Sequence, residues 1–233
     1  MNEHPPTDSD DAQAEPEAQK TLPPLHPHQR RVLGVLVEKA KTTPDSYPLT
    51  LNAIMTGCNQ KSNRDPVMQL DADDVQIALD GLRALEAATE IQGGGRVNKF
   101  RHHAYDWLGV RGAHAAVMIE LMLRGPQTLG EIRSRASRME KLADLQMTTQ
   151  VVNELIAKKL VVPLGRPGRG QQFAHTLYQP DEMQRLDVAS AAAPLPPQPS
   201  APAAAPAPAA DTDALQQQID ELKARVEKLE SRL

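Results

Sequence analysis

Cysteine occurs once, as Cys58, so no internal disulfide framework can form and the chain suits a reducing compartment. Aromatic residues are 3% of the total. That scarcity disfavours a sandwich or barrel and leaves Leu, Val, Ile, Met and Ala to build a small helical core. No run of about 18 apolar residues is present, so no membrane-spanning helix is expected. Met1 to Lys20 is acidic and lacks an apolar h-region, so no signal peptide is expected there, and the protein is read as soluble and cytoplasmic. No Ser/His/Asp set or paired carboxylates emerge at catalytic spacing. An enzyme is not expected, nor a cofactor or metal. His26 and His28, like His102 and His103, have no cysteine or carboxylate at ligand spacing.

What charge there is lies unevenly. Residues 1–24 carry one base and six acids, and residues 25–109 carry ten of each. Residues 110–180 carry ten bases against five acids, net +5, and residues 181–233 five against nine. Only residues 110–180 have the electrostatic footprint of a nucleic-acid surface.

Residues 1–24 are polar, acidic and rich in proline, with too little apolar surface to offset the entropy of ordering, and are read as a disordered tail. A helix is predicted from His28 to Lys41, with Val32, Leu33, Leu36 and Val37 on one face, and Thr43-Pro44-Asp45 ends it. A second is predicted from Thr50, its N-cap, to Asn59. The polar loop Asn59-Gln60-Lys61-Ser62-Asn63-Arg64-Asp65-Pro66-Val67-Met68 follows, where Pro66 forbids helix and biases Asp65 to an extended conformation. Asp71 to Asp74 open a third helix reaching Ala88, with Val75, Ala78, Leu79, Leu82 and Leu85 inward. Ile91 enters a strand, Gly93-Gly94-Gly95 turns, and Arg96 to His103 returns. Helix, helix, loop, helix and hairpin together make the plan of a winged-helix domain, residues 25–109.

The plan then recurs in residues 110–180. Pro48-Leu49-Thr50-Leu51-Asn52-Ala53-Ile54 matches Pro126-Gln127-Thr128-Leu129-Gly130-Glu131-Ile132, offset 78. Val75 and Leu79 match Val151 and Leu155, and Phe100-Arg101-His102 matches Phe173-Ala174-His175. Helices near 112–124, 128–139 and 148–160 and a hairpin turning at Gly165 to Gly170 complete this unit. Thr128 and Glu131 form a capping box.

Residues 181–213 are read as an Ala/Pro linker, with seven prolines and eleven alanines between Ala189 and Ala210. In residues 214–233, Leu215, Ile219, Leu222, Val226 and Leu229 alternate spacings of four and three, the seam of a short parallel coiled coil. Under three heptads is marginal alone, so weak homodimerisation or an amphipathic helix that meets another partner are the two readings. The fold class expected is α+β, mainly α with short β-hairpins: two tandem winged-helix domains, a tail, a linker and a terminal coil.

Val35-Leu36-Val37-Glu38-Lys39, Thr42 to Leu49, the loop 59–68, Leu123-Arg124-Gly125-Pro126-Gln127-Thr128 and Glu131 to Met139 resemble the bacterial YceH family. The likeness covers roughly residues 25–180 and implies a tandem winged-helix architecture in a bacterial cytoplasmic protein. It leaves function to the residues.

A winged helix that binds DNA lays its third helix in the major groove and touches the backbone with its wing. In the first unit that helix is acidic, with Asp71, Asp73, Asp74 and Asp80, which would face phosphates unfavourably. In the second, Thr148, Thr149, Gln150, Asn153, Ala157 and Lys158 are expected outward. Gln150 and Asn153 suit adenine edges, and Lys158 or Lys159 suits phosphate. Arg166 and Arg169 sit on a glycine-rich wing suited to backbone or minor-groove contact, and Arg133, Arg135 and Arg138 add charge on the preceding helix. The motif loop holds Asn59, Gln60, Lys61, Asn63, Arg64 and Pro66 and carries two readings: Lys61 and Arg64 bind phosphate, or Asn59 and Asn63 hydrogen-bond loose backbone ends. Cys58 lies on an apolar helix face and is read as an inert buried thiol. Two functions follow: duplex-DNA binding through residues 128–170 with a regulatory role, or a protein-binding adaptor that does not touch DNA.

Overall fold

The computed structural model describes residues 22–92, 97–168 and 170–192. Most of the expected acidic tail, the tri-glycine turn, Arg169, residues 193–213 and the expected coil, Leu215 to Leu229 included, lie outside the described residues. Within them the fold is mixed α+β, with eight α-helices and two small antiparallel sheets.

α1 (Pro27–Thr42) starts with Pro27 at its first position behind a His26–Gln29 capping box. The sequence pattern marks one apolar face, yet every residue from Arg30 to Glu38 is buried. The reason is that α1 packs on α2 (Leu51–Cys58) and α3 (Ala72–Ala84) on one side and on α5 (Gly112–Arg124) on the other. α5 is likewise buried throughout Ala115 to Leu123. A helix covered all round is a central helix, and here two of them lie back to back. Gly34 permits the approach, since a Cβ there would stand 2.7 Å from Leu123.

The two halves repeat element by element. β1 (Leu49–Thr50), β2 (Ala88–Ile91) and β3 (Lys99–His102) form a sheet in the order β1-β3-β2. β4 (Gln127–Thr128), β5 (Val161–Leu164) and β6 (Gln172–His175) form the second, in the order β4-β6-β5. Leu49 opposes Phe100 as Gln127 opposes Phe173, and Ala88 opposes His102 as Val161 opposes His175. The two phenylalanines of the chain therefore occupy equivalent registers, and both are buried. Thr50 and Thr128 cap α2 and α6 (Leu129–Ala136) through Ala53 and Glu131 amides. Val75, Leu79, Val151 and Leu155 all point into one continuous core.

Several boundaries differ from the sequence expectation. α3 ends at Ala84, not Ala88: Glu86 takes a left-handed φ of 59° and the Ala87 amide donates back to Leu82 O. α7 (Leu145–Ala157) ends the same way, with Lys159 at φ 59° and the Leu160 amide donating to Leu155 O. α4 (Ala104–Leu108), seated by buried Trp107 and Leu108, joins the halves. α8 (Pro180–Ala192) occupies what reads as the start of the linker. Arg30 explains its docking: the guanidinium makes two bonds to Glu182, at 2.8 and 2.6 Å, and stacks over Tyr178 at 4.6 Å. No helix among the described residues is long and apolar enough to cross a membrane.

Candidate nucleic-acid interface

α6, the turn after it, α7 and the β5–β6 hairpin hold the residues singled out in the second half. Asp144 caps α7, accepting from the Met147 amide at 2.7 Å. Val151, Val152 and Leu155 turn into the core. Thr148, expected outward, is fully buried, because its hydroxyl donates to Asp144 O at 2.8 Å and its side chain lies on the packed side. Gln146, Thr149, Gln150, Asn153, Glu154 and Ala157 line one shallow open face. On it, Glu154 accepts from Gln150 Nε2 at 2.9 Å and lies 2.6 Å from His114 Nε2. Those two bonds hold its carboxyl below the ordinary value.

The basic residues divide into two groups. Arg133 is exposed, and its guanidinium donates to Ala143 O at 2.9 Å, just ahead of α7. Lys158 is the C-cap of α7, and Lys159 and Arg166 are exposed beyond it, Arg166 on the β5–β6 turn. Lys141 is a further exposed cation between α6 and α7 that residue patterning passed over. None of these five makes an ion pair within 4 Å among the described residues, although the Glu154 carboxylate, one turn before Lys158, interacts with it electrostatically. Arg135 is half-buried and engaged by Glu131 at 3.1 Å and Gln127 Oε1 at 2.9 Å. Arg138 does not face outward with the exposed cations. It bridges Glu38 of α1 and Glu120 of α5, the latter at 2.9 Å.

Arg138 thus belongs to a buried ion network at the seam of the two halves, and the motif loop supplies its other end. Arg64, with no side-chain exposure, holds Glu38 through Nη1 at 3.1 Å and Nη2 at 2.5 Å, and also donates to Gly57 O at 3.0 Å. Gln60 Oε1 accepts from Arg64 at 3.0 Å. Burial pushes the Glu38 carboxyl up, but the bonds and charges of Arg64 and then Arg138 outweigh it, and the net shift is downward. Glu120 is also held by Arg124, 3.3 Å away, whose guanidinium donates to the Asn63 side chain. Asn59 clasps Leu70 through both amide atoms, at 2.7 and 2.8 Å. Pro66 O accepts from buried Arg31 at 2.6 Å, and the Asp65 amide donates to Leu123 O at 3.0 Å. The loop is therefore a strap from α2 across to the end of α5. Only Lys61, exposed and without a carboxylate, is left to meet a phosphate there.

Of the remaining candidates, Cys58 is enclosed, His28 and His102 are half-buried, and His26 and His103 are exposed. Cys58 is buried and its thiol is pushed up to about 12 by that burial. Burial lowers His102 to about 4 and holds His175 well below its ordinary value. The corresponding face of α3 bears exposed Asp73 and Asp80 around Ile77, which is 72% exposed, and Asp80 pairs with Arg83 at 3.0 Å.

A family profile described as a protein of unknown function, DUF480, matches residues 25–171. The UPF0502 protein RB6530 of Rhodopirellula baltica is 58% identical over 176 residues, covering 72% of this chain and 74% of the relative. The UPF0502 protein GSU0233 of Geobacter sulfurreducens is 51% identical over 156 residues, 65% of this chain and 71% of its own length. A UPF0502 protein of Delftia acidovorans is 42% identical over 218 residues, covering 90% of this chain and 89% of the relative, so that likeness runs past the core. The chain belongs to the DUF480 family, whose relatives here carry the UPF0502 name.

Proposed function

We propose that this is a YceH-type tandem winged-helix protein that binds duplex DNA through its second unit and acts as a regulator. Each half offers the parts of a winged helix: three helices and a hairpin whose second strand pairs with a short strand ahead of the second helix. In this reading α7 enters the major groove and the β5–β6 turn is the wing. The observation that carries it is a set of exposed cations around a polar and exposed α7 face. Among the described residues, Arg133 and Arg166 have no carboxylate beside them, and Lys158 has only Glu154 near it. Exposed cations can release counterions from phosphate, which supplies most non-specific affinity. Arg138 is excluded from the interface by its engagement with Glu38 and Glu120. Residues 214–233 are assigned to weak homodimerisation, which would give a two-fold reader of paired half-sites.

The test is fluorescence anisotropy of a random-sequence duplex with the full-length protein at low salt. Dissociation constants of about 1 to 100 μM or tighter are expected, with weaker binding for Arg166→Ala. An absence of binding at low salt contradicts the proposal. One observation favours a second reading, an adaptor: the exposed Ile77 on α3, with Asp73 and Asp80 one turn away on either side and His26, His28 and Asp74 lining the same groove, is suited to a protein rather than to phosphate. Nuclease-resistant capture of a protein partner, together with no duplex binding, supports that reading instead.

A further inference from the structure

We infer that the α7 face selects A·T base pairs and rejects guanine, an inference that rests on the duplex-DNA reading and adds a base preference to it. Gln146, Gln150 and Asn153 follow one another at spacings of four and three, on the same face as Thr149 and Ala157. A carboxamide presents a donor and an acceptor in one plane, matching N7 and N6 of adenine. Gln146 and Asn153 have no hydrogen-bond partner among the described residues, so their amides are open to such a pair. The methyl groups of Ala157 and Thr149 suit the thymine 5-methyl.

What the face lacks points the same way. Guanine shows only acceptors in the major groove, and its usual readers are Arg and Lys. Neither occurs among the six lining residues. The one charge there is the carboxylate of Glu154, which accepts only. Opposite guanine it would set acceptor against acceptor, whereas opposite the adenine amino group it takes a hydrogen bond. The cytosine amino group would satisfy it too, so Glu154 disfavours guanine on the contacted strand and the A·T preference rests on the carboxamides of Gln146 and Asn153. His114 and Gln150 hold that carboxylate in place. The exposed cations lie at the two ends of the helix: Arg133 bonds to Ala143 O ahead of it, and Lys158 and Lys159 follow it. This layout separates phosphate contact from base reading. From Gln146 to Ala157 the helix rises roughly 16 Å, which corresponds to about five base pairs at 3.4 Å each.

The test is selection of duplexes by the full-length protein from a random pool, followed by anisotropy on the enriched sequence. A window of about five base pairs rich in A·T is expected to emerge. Replacing its adenines by 7-deazaadenine, or Asn153 by Ala, should weaken binding roughly 5- to 150-fold. Glu154→Gln should raise tolerance of guanine in the same window. Both side chains are exposed, and melting curves check that the variants fold. Binding that is blind to base composition and unmoved by Asn153→Ala, yet weakened by Arg166→Ala, overturns the base preference and leaves DNA binding standing. No duplex binding at low salt overturns both.

Discussion

Replacing Arg64 by Met tests the buried network at the seam most sharply. The side chain is fully buried, and it makes two charge-assisted bonds to Glu38, which is 3% exposed, and further bonds to Gly57 O, Asn63 O and Gln60. Removing one member of a buried ion pair costs about 3–5 kcal/mol, chiefly because the other charge stays buried. Glu38 keeps Arg138 in the variant, so the loss belongs at the lower end, about 3 kcal/mol. For a chain of this size that lowers Tm by about 6–12 °C. Urea unfolding of the full-length protein followed by circular dichroism measures it. The double variant Arg64→Met with Glu38→Met removes both charges, and its loss should fall well short of the sum of the single losses. The sign with pH follows from Glu38, whose folded carboxyl lies below its ordinary value of 4.5. The stabilisation is fully present above that value and is lost as pH falls through the folded value. The gap between wild type and Arg64→Met should therefore be flat from about pH 5 upward and close on further acidification. A loss under about 1 kcal/mol, or strict additivity in the double variant, would refute a buried network whose members depend on one another.

Other positions give independent checks. Gly34→Ala sets a Cβ 2.7 Å from Leu123 between two wholly buried helices, and should cost about 1–3 kcal/mol in a urea melt. Glu86→Gly relieves a left-handed residue after α3 and should stabilise the protein by about 1 kcal/mol, seen as a higher urea midpoint. Cys58, buried with its thiol pushed up to about 12, should react with a thiol reagent at pH 8 only after denaturant is added. Fast labelling of the native protein would contradict its burial.

Local chemistry made much of this fold legible. Thr50, Asp71 and Thr128 cap helices in the structure because a cap needs only its own next three residues. The repeat was readable because the same side chains meet the same registers, as Phe100 and Phe173 do. β1 and β4 were not readable, since two residues carry no period, and the sheets exist only once the hairpin strand reaches them. α8 opens with Pro180, Asp181 and Glu182, a helix-start signal that the alanine- and proline-rich composition just beyond it hid. The deeper gap concerns charge. Glu38, Arg31, Arg64 and Glu120 are buried, while pattern reading assigns charges to solvent. Apart from Arg124, four residues from Glu120, their ion-pair partners lie well outside the local pattern, 100 residues away in the case of Glu38 and Arg138. For that reason Arg138 reads as part of a cationic surface, and Arg64 reads with Lys61 as a phosphate candidate, with only Asn59 and Asn63 expected on backbone. On α7 Thr149, Gln150, Asn153, Ala157 and Lys158 lie outward as expected, but Thr148 is buried with its hydroxyl on Asp144 O one turn back, and exposed Gln146 and Glu154 are absent from the expected set.

The salt dependence of duplex binding tests the central claim most directly. If the proposed surface meets phosphate through four or five of the exposed cations Arg133, Lys141, Lys158, Lys159 and Arg166, the slope of log affinity on log salt is about −3.6 to −4.5. Between 50 and 200 mM salt the affinity should then fall roughly 150- to 500-fold, and Arg166→Ala should make the slope shallower by about 0.9. A slope near zero, or one that Arg166→Ala leaves unchanged, contradicts the assignment of this surface to DNA.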